Sequence, residues 1–367
     1  MAQITADLSA QHWETSTVKS KSIVSALALA VGLTGATLSA QAQTAQQPII
    51  LKVHHFLGPQ TIQHTTMLGD WCKALARDSK DRLQCQIFPA MQLGGTPPQL
   101  YDQAKDGVAD VVWTVAGYQA GRFPRTQVFE LPFVMTNAEA TSRAAWDFVQ
   151  KHAMDEHKDV KLLAVHVHGP GVLFSKNKPI TKLEDLKGMK WRAPTANVTR
   201  MMGILGATPV GMPVPQIPEA LSKGVIDGAV IPYEVAPGLK VNELTKFAAE
   251  TDPKFPALYT TVFVVPMNKA KYDSLPADLK AVIDKNSGRE FSAFLGRTQW
   301  GNDVPSRKVF TETAGYSISQ IPASELERWR KATSEIDDAW VADMNKRGLN
   351  GKAMLQDALG LIKQYTK

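Results

Sequence analysis

Leu186-Lys187-Gly188-Met189-Lys190-Trp191-Arg192-Ala193-Pro194 is followed by Leu205-Gly206-Ala207-Thr208-Pro209-Val210 and then by Pro218-Glu219-Ala220-Leu221-Ser222-Lys223-Gly224-Val225-Ile226-Asp227-Gly228. The pattern predicts a short strand ending in an arginine, a helix, a Pro-rich turn, a helix opened by Pro218 and closed by Gly224, and a further apolar strand. The same unit occurs earlier. Gly107-Val108-Ala109-Asp110 follows a helix opened by Pro98 and leads into the apolar run Val111 to Val115. Two copies of helix, glycine cap and strand imply two lobes of similar build. Ligands of open α/β sheets bind beyond the carboxyl ends of the strands. The ends at Trp113 to Tyr118 and Val230 to Tyr233 are therefore expected to face one cleft.

The rest of the chain alternates in the same way. Ile49 to His55 reads as a strand, His64 to Arg77 as a helix and Leu83 to Phe88 as a strand. Asn137 can cap a helix running to about His152, and strands are expected near Lys161 to Val167 and Tyr259 to Val265. Pro276 starts a long helical stretch interrupted near Pro305, and in Ala323 to Lys346 the residues Trp329, Ile336, Trp340 and Met344 recur at helical spacing as packing residues. This is an α/β chain with largely parallel sheets.

The front of the chain carries an export pattern. Lys19 and Lys21 precede the apolar run Ile23 to Leu33, and Ala40-Gln41-Ala42 has the small-x-small form of a cleavage site. The run is too short to span about 30 Å of hydrocarbon. Asp7, Trp13 and Glu14 do not suit a leader, which points to a translation start at Val18. Loss of residues 1–42 removes two basic and two acidic side chains, so the formal charge stays at +6. Basic residues are scattered with no nucleic-acid motif, which argues against nucleic acid as a partner and leaves small anions. Cys72 and Cys85, the two cysteines, are free to pair in an exported chain or to remain buried thiols.

Enzyme motifs are missing from the sequence. It has no GxSxG elbow, Walker loop or HExxH, and Gly169-Pro170-Gly171 lacks the third glycine and following helix of a dinucleotide site. No metal-ligand spacing or cofactor motif stands out. His166 and His168 share one strand face, as a buried hydrogen-bonded pair or as two metal ligands, whereas His54 and His55 point to opposite faces. Arg192 ends a hydrophobic strand just before Pro194. A guanidinium there presents a planar fork that matches a carboxylate, either on a ligand or in a surface salt bridge.

Taken together, Phe88-Pro89-Ala90-Met91-Gln92-Leu93-Gly94-Gly95, Gly107-Val108-Ala109-Asp110, Glu130-Leu131-Pro132-Phe133, Gly188-Met189-Lys190-Trp191-Arg192 and Ala220-Leu221-Ser222-Lys223-Gly224-Val225-Ile226-Asp227-Gly228 resemble the extracytoplasmic solute receptors of tripartite ATP-independent periplasmic (TRAP) transporters. The resemblance implies a two-lobed periplasmic binding protein fold with an inter-lobe ligand cleft and a long lobe-bridging helix, expected around Pro276 to Thr313. It implies lobe I from 48–167 plus about 258–300, and lobe II from 168–257 plus about 301–367. It further implies that no reaction is catalysed: an organic carboxylate is captured in the periplasm and passed to membrane permease subunits. The family's carboxylate-binding arginine matches Arg192. Val172-Leu173-Phe174 stands where many members carry a second arginine, and Ala229-Val230-Ile231-Pro232-Tyr233 where many have Glu-Asn. A monocarboxylate with an apolar or aromatic body is therefore expected. Trp113, Tyr118, Phe174 and Tyr233 are the candidate walls, with Gln216, His55, Phe56 and His168 as further candidates.

Overall fold

The structure, a computed structural model, describes residues 47–366, so the leader, the Ala42 cleavage site and the alternative start lie outside the described residues. Among the described residues twelve strands form two sheets. The first contains β1 (Ile49–His54), β2 (Leu83–Phe88), β3 (Val111–Val112), β4 (Thr114–Val115), β5 (Val160–Val167) and β11 (Val262–Asn268). The second contains β6 (Val172–Ser175), β7 (Lys190–Ala193), β8 (Thr208–Gly211), β9 (Gly228–Ile231), β10 (Phe247–Glu250) and β12 (Ser317–Gln320).

The repeated unit is visible in atomic detail. In the first sheet β1 pairs parallel with β3, and the Asp110 N–H donates to the Lys52 carbonyl at 2.9 Å while its Oδ2 accepts the Lys52 N–H at 2.8 Å. In the second, β7 pairs parallel with β9, and Asp227 Oδ2 accepts the Lys190 N–H at 2.9 Å. The glycine before each aspartate has a left-handed backbone, φ 80° at Gly107 and 68° at Gly224, which a Cβ would strain. Each aspartate thus fixes the strand entering its sheet, at the end opposite the cleft.

Three segments cross between the sheets. His168-Gly169-Pro170-Gly171 joins β5 to β6, residues 251–261 join β10 to β11, and the helices Arg289–Gly301 and Asp303–Glu312 lead from the first sheet to β12. The two glycines of the first crossing are explained by crowding. A Cβ on Gly171 would overlap the Tyr259 ring of the second crossing, and one on Gly169 would overlap Trp300 and Asp303 of the third. The expected bridging helix is present in two pieces, and Pro305, which has no N–H to donate to the Gly301 carbonyl, accounts for the break near Asn302.

The 24-residue helix Ala323–Lys346 is a second bridge. Arg328 pairs with Glu184 on the second lobe, and Trp340 Nε1 donates to the Pro124 carbonyl on the first at 2.8 Å. Trp329, Ile336, Trp340 and Met344 are buried in it, as their spacing indicates. The last helix, Gly351–Tyr365, lies against Ala138–His152 of the first lobe, with Asp357 bonded to Lys151 and His152, and Tyr365 to Asp147. The apolar face of this helix is covered by the first lobe, whereas about 301–367 was expected in the second. Cys72 and Cys85 form a disulfide with a Cα separation of 5.7 Å.

Candidate functional site

Where the three crossings meet the strand ends, a small cavity of about 40 Å³ opens between the lobes. Arg192 stands at its edge. β7 lies between β8 and β9, so the side chain, 2% exposed, has left water. Its Nε donates to the Met212 carbonyl and its Nη1 to the Val230 carbonyl, each at 3.0 Å. The ionisable groups acting on it are the phenols of Tyr118 and Tyr259, and among the described residues no carboxylate joins them. Burial lowers the guanidinium's pKa, yet an arginine remains charged. A buried cation with no counter-ion costs several kcal/mol, so this site is built to receive an anion.

The surrounding polar groups are arranged to help. Tyr118 Oη accepts the Val214 N–H at 3.0 Å, which leaves its own proton for another acceptor. The Tyr259 hydroxyl is buried and has no hydrogen-bond partner among the described residues. His168 Nε2 accepts the Thr261 N–H at 3.1 Å, so the ring is neutral with its Nδ1 proton on the Gly169 carbonyl. Burial pushes its pKa down to about 4. With both nitrogens engaged, His168 is a wall and a tie between two crossings.

The remaining lining is largely apolar. Phe56 stacks on Trp113 with centroids 5.0 Å apart, and Phe263 stacks on the same indole at 4.6 Å. Trp113 is fixed by donating Nε1 to His166 Nε2 at 2.8 Å. His166, held neutral near 3 by burial, is therefore a support beneath the wall. Ile231, Val214 and Val235 complete the apolar surface.

A second polar end is formed by Glu234 and Gln299. Glu234 accepts Gln299 Nε2 at 2.6 Å and Gln63 Nε2 at 2.8 Å, and burial raises its pKa to about 7 against those two bonds. Its own N–H donates to Asp303 Oδ1 at 2.8 Å.

Of the predicted residues, Arg192, Trp113, Tyr118, Phe56 and His168 line one cavity. Four do not. Tyr233 and Phe174 meet edge to face at 5.3 Å and both pack on Phe310, because the period of β6 and the turn after β9 aim them into the second lobe's core. Tyr233 Oη donates to Glu250 at 2.8 Å. Gln216 is exposed at the end of a short helical turn. His55 is buried behind the wall, with Nε2 3.0 Å from His64 Nδ1 and Nδ1 accepting the Leu57 N–H. Tyr259, Thr261, Phe263, Glu234 and Gln299 line the cavity without having been singled out in the sequence. Tyr259 opens the stretch that the sequence marks as a strand, although β11 itself begins at Val262, whereas Gln299 is one polar residue inside a helix and carries no local signal.

A family model described as "Bacterial extracellular solute-binding protein, family 7" matches residues 53–343. The chain belongs to this family. Among solved structures, a TRAP solute-binding protein from Rhodoferax ferrireducens with copurified benzoate is 52% identical, covering 87% of this chain and 98% of that one, with a TM-score of 0.85. A marine metagenome TRAP solute-binding protein described as specific for aromatic acid ligands, with 3-hydroxybenzoate, is 43% identical over 88% of this chain and 100% of its own, again with a TM-score of 0.85. A TRAP periplasmic solute-binding protein from Bordetella bronchiseptica with bound mandelate is 29% identical over 86% and 99%, with a TM-score of 0.80. The resemblance to TRAP solute receptors and the two-lobed fold are thereby established. The family and fold of this chain are those of TRAP solute-binding proteins.

Proposed function

We propose that the receptor is exported with loss of residues 1–42, captures an aromatic monocarboxylate between its lobes, and hands it to the permease subunits without chemical change. The observation that carries this is the buried Arg192 guanidinium, without a carboxylate partner, at one end of an aromatic-walled cavity. Arg192 and the Tyr259 hydroxyl would hold the carboxylate, with the Tyr118 proton as a third donor. Phe56, Trp113 and Phe263 would cover the ring. A charge-assisted bond is worth about 1.5–3 kcal/mol, and ring burial adds a few more. After association costs this is compatible with micromolar binding, which needs about 8 kcal/mol.

Tyr233, Phe174, Gln216 and His55 would act only as supports of the lobes. A thermal-shift panel on the mature protein tests the proposal: benzoates, phenylacetates and mandelates should raise the melting temperature. Stabilisation by C4-dicarboxylates or sugar acids alone would show that the ligand class is wrong.

A further inference from the structure

The end of the cavity away from Arg192 has a composition that a plain aromatic acid does not need. Glu234 comes from the turn after β9, Gln299 from the bridging helix Arg289–Gly301, and Gln63 from the first lobe. Both carboxylate oxygens of Glu234 are occupied by the two amide N–H groups. That leaves the carbonyl oxygens Oε1 of Gln299 and Gln63 buried with no hydrogen-bond partner. Gln299, 1% exposed, lines the cavity beside Glu234. The unmet group lining this end, Gln299 Oε1, is an acceptor, and above about pH 7, where Glu234 is ionised, Glu234 has no proton to donate either. An unmet buried acceptor is costly, so the site gains most from a ligand that brings a donor.

We infer that Gln299, oriented by Glu234, is a specificity residue that selects aromatic monocarboxylates carrying a hydroxyl or amino donor across the ring from the carboxylate. The inference rests on Arg192 receiving the carboxylate as proposed above. Arg192 is held by the Met212 and Val230 carbonyls and Glu234 by Gln299 and Gln63, so the two polar groups share no partner, and a donor at the meta or para position, rather than one beside the carboxylate, is placed to meet Gln299. Above about pH 7 a second carboxylate there would face the ionised Glu234 and the Gln299 carbonyl, so a ring dicarboxylate is rejected.

Calorimetry at about pH 8, where Glu234 is ionised, with benzoate, 2-, 3- and 4-hydroxybenzoate and terephthalate provides the test. The wild-type protein should bind the 3- or 4-hydroxy acid about five- to tenfold more tightly than benzoate, gain nothing from the 2-hydroxyl, and bind terephthalate about tenfold or more weakly. In Gln299→Leu the ratio of hydroxybenzoate to benzoate affinity should fall to about one, and in Glu234→Gln terephthalate should gain relative to benzoate. Both comparisons are ratios within one protein, so a change in overall stability cancels. Equal or tighter wild-type binding of benzoate would overturn the inference whether or not either variant folds, and so would a hydroxyl preference that survives Gln299→Leu. If benzoate binds without any hydroxyl preference, only this inference fails. If no aromatic acid binds, the carboxylate assignment fails with it.

Discussion

Replacing Arg192 by Met removes a buried charge while keeping an unbranched side chain of similar reach, and it separates a ligand-binding arginine from a structural one. In the unliganded protein two effects oppose each other. Loss of an uncompensated buried cation is favourable by several kcal/mol. The Met212 and Val230 carbonyls, each 3.0 Å from the guanidinium, then lose their donors at about 1–3 kcal/mol each. The net change in unliganded stability should stay within about 2–3 kcal/mol of zero. Ligand affinity has no such compensation. Two charge-assisted bonds of about 1.5–3 kcal/mol are lost, which weakens binding by about two to four orders of magnitude. Calorimetry with 3-hydroxybenzoate, paired with melting curves with and without ligand, reads both quantities. Affinity within tenfold of wild type would refute the carboxylate role. A variant whose unliganded form is destabilised by much more than about 3 kcal/mol would mean that Arg192 mainly braces its strands.

Tyr259→Phe should leave the unliganded melting point almost unchanged, since the hydroxyl has no partner in the protein, while weakening ligand binding about five- to tenfold by calorimetry. Gly171→Ala places a methyl in the Tyr259 ring, so near-UV circular dichroism should change and affinity should fall about tenfold or more; an unchanged dissociation constant would contradict the crossing geometry. Stability should depend on pH in two opposed ways. Glu130 and Glu234, raised by burial to about 7 from 4.5, add stability as pH falls through 7, whereas His157 and His166 near 3 and His168 near 4 remove it below their ordinary 6.5. Melting of the unliganded protein should therefore peak at about pH 6–6.5, and a melting point that rises steadily towards pH 8 would count against these buried carboxyls.

Sequence pattern carried the strand ends, and pattern at strand ends is local physics. Arg192 was legible because a charged residue closes an apolar strand before a proline. Trp113 and Tyr118 were legible because a glycine-capped unit recurs and the second copy points to the same cleft. Tyr233 and Phe174 were expected in the cavity from the same rule, yet face the other way. A one-residue change of register in a strand or turn reverses the face a side chain takes, and the sequence shows no register. Gln299 and Glu234 meet only because a helix from one end of the chain is laid beside a turn from another.

What the sequence determined by itself was the alternation of strands and helices, the doubled unit ending at Asp110 and Asp227, and the placing of one arginine at a strand end. Those follow from period, capping and backbone sterics, which act over a few residues. Tertiary structure alone decided that Arg192 is buried without a carboxylate beside it, that Tyr259 keeps a hydroxyl unmatched, and that Gln299 and Glu234 close the far end of the cavity. Each of these depends on which groups are desolvated together. Desolvation is a property of packing between distant segments, and it is what turns a fork of N–H groups into a binding site.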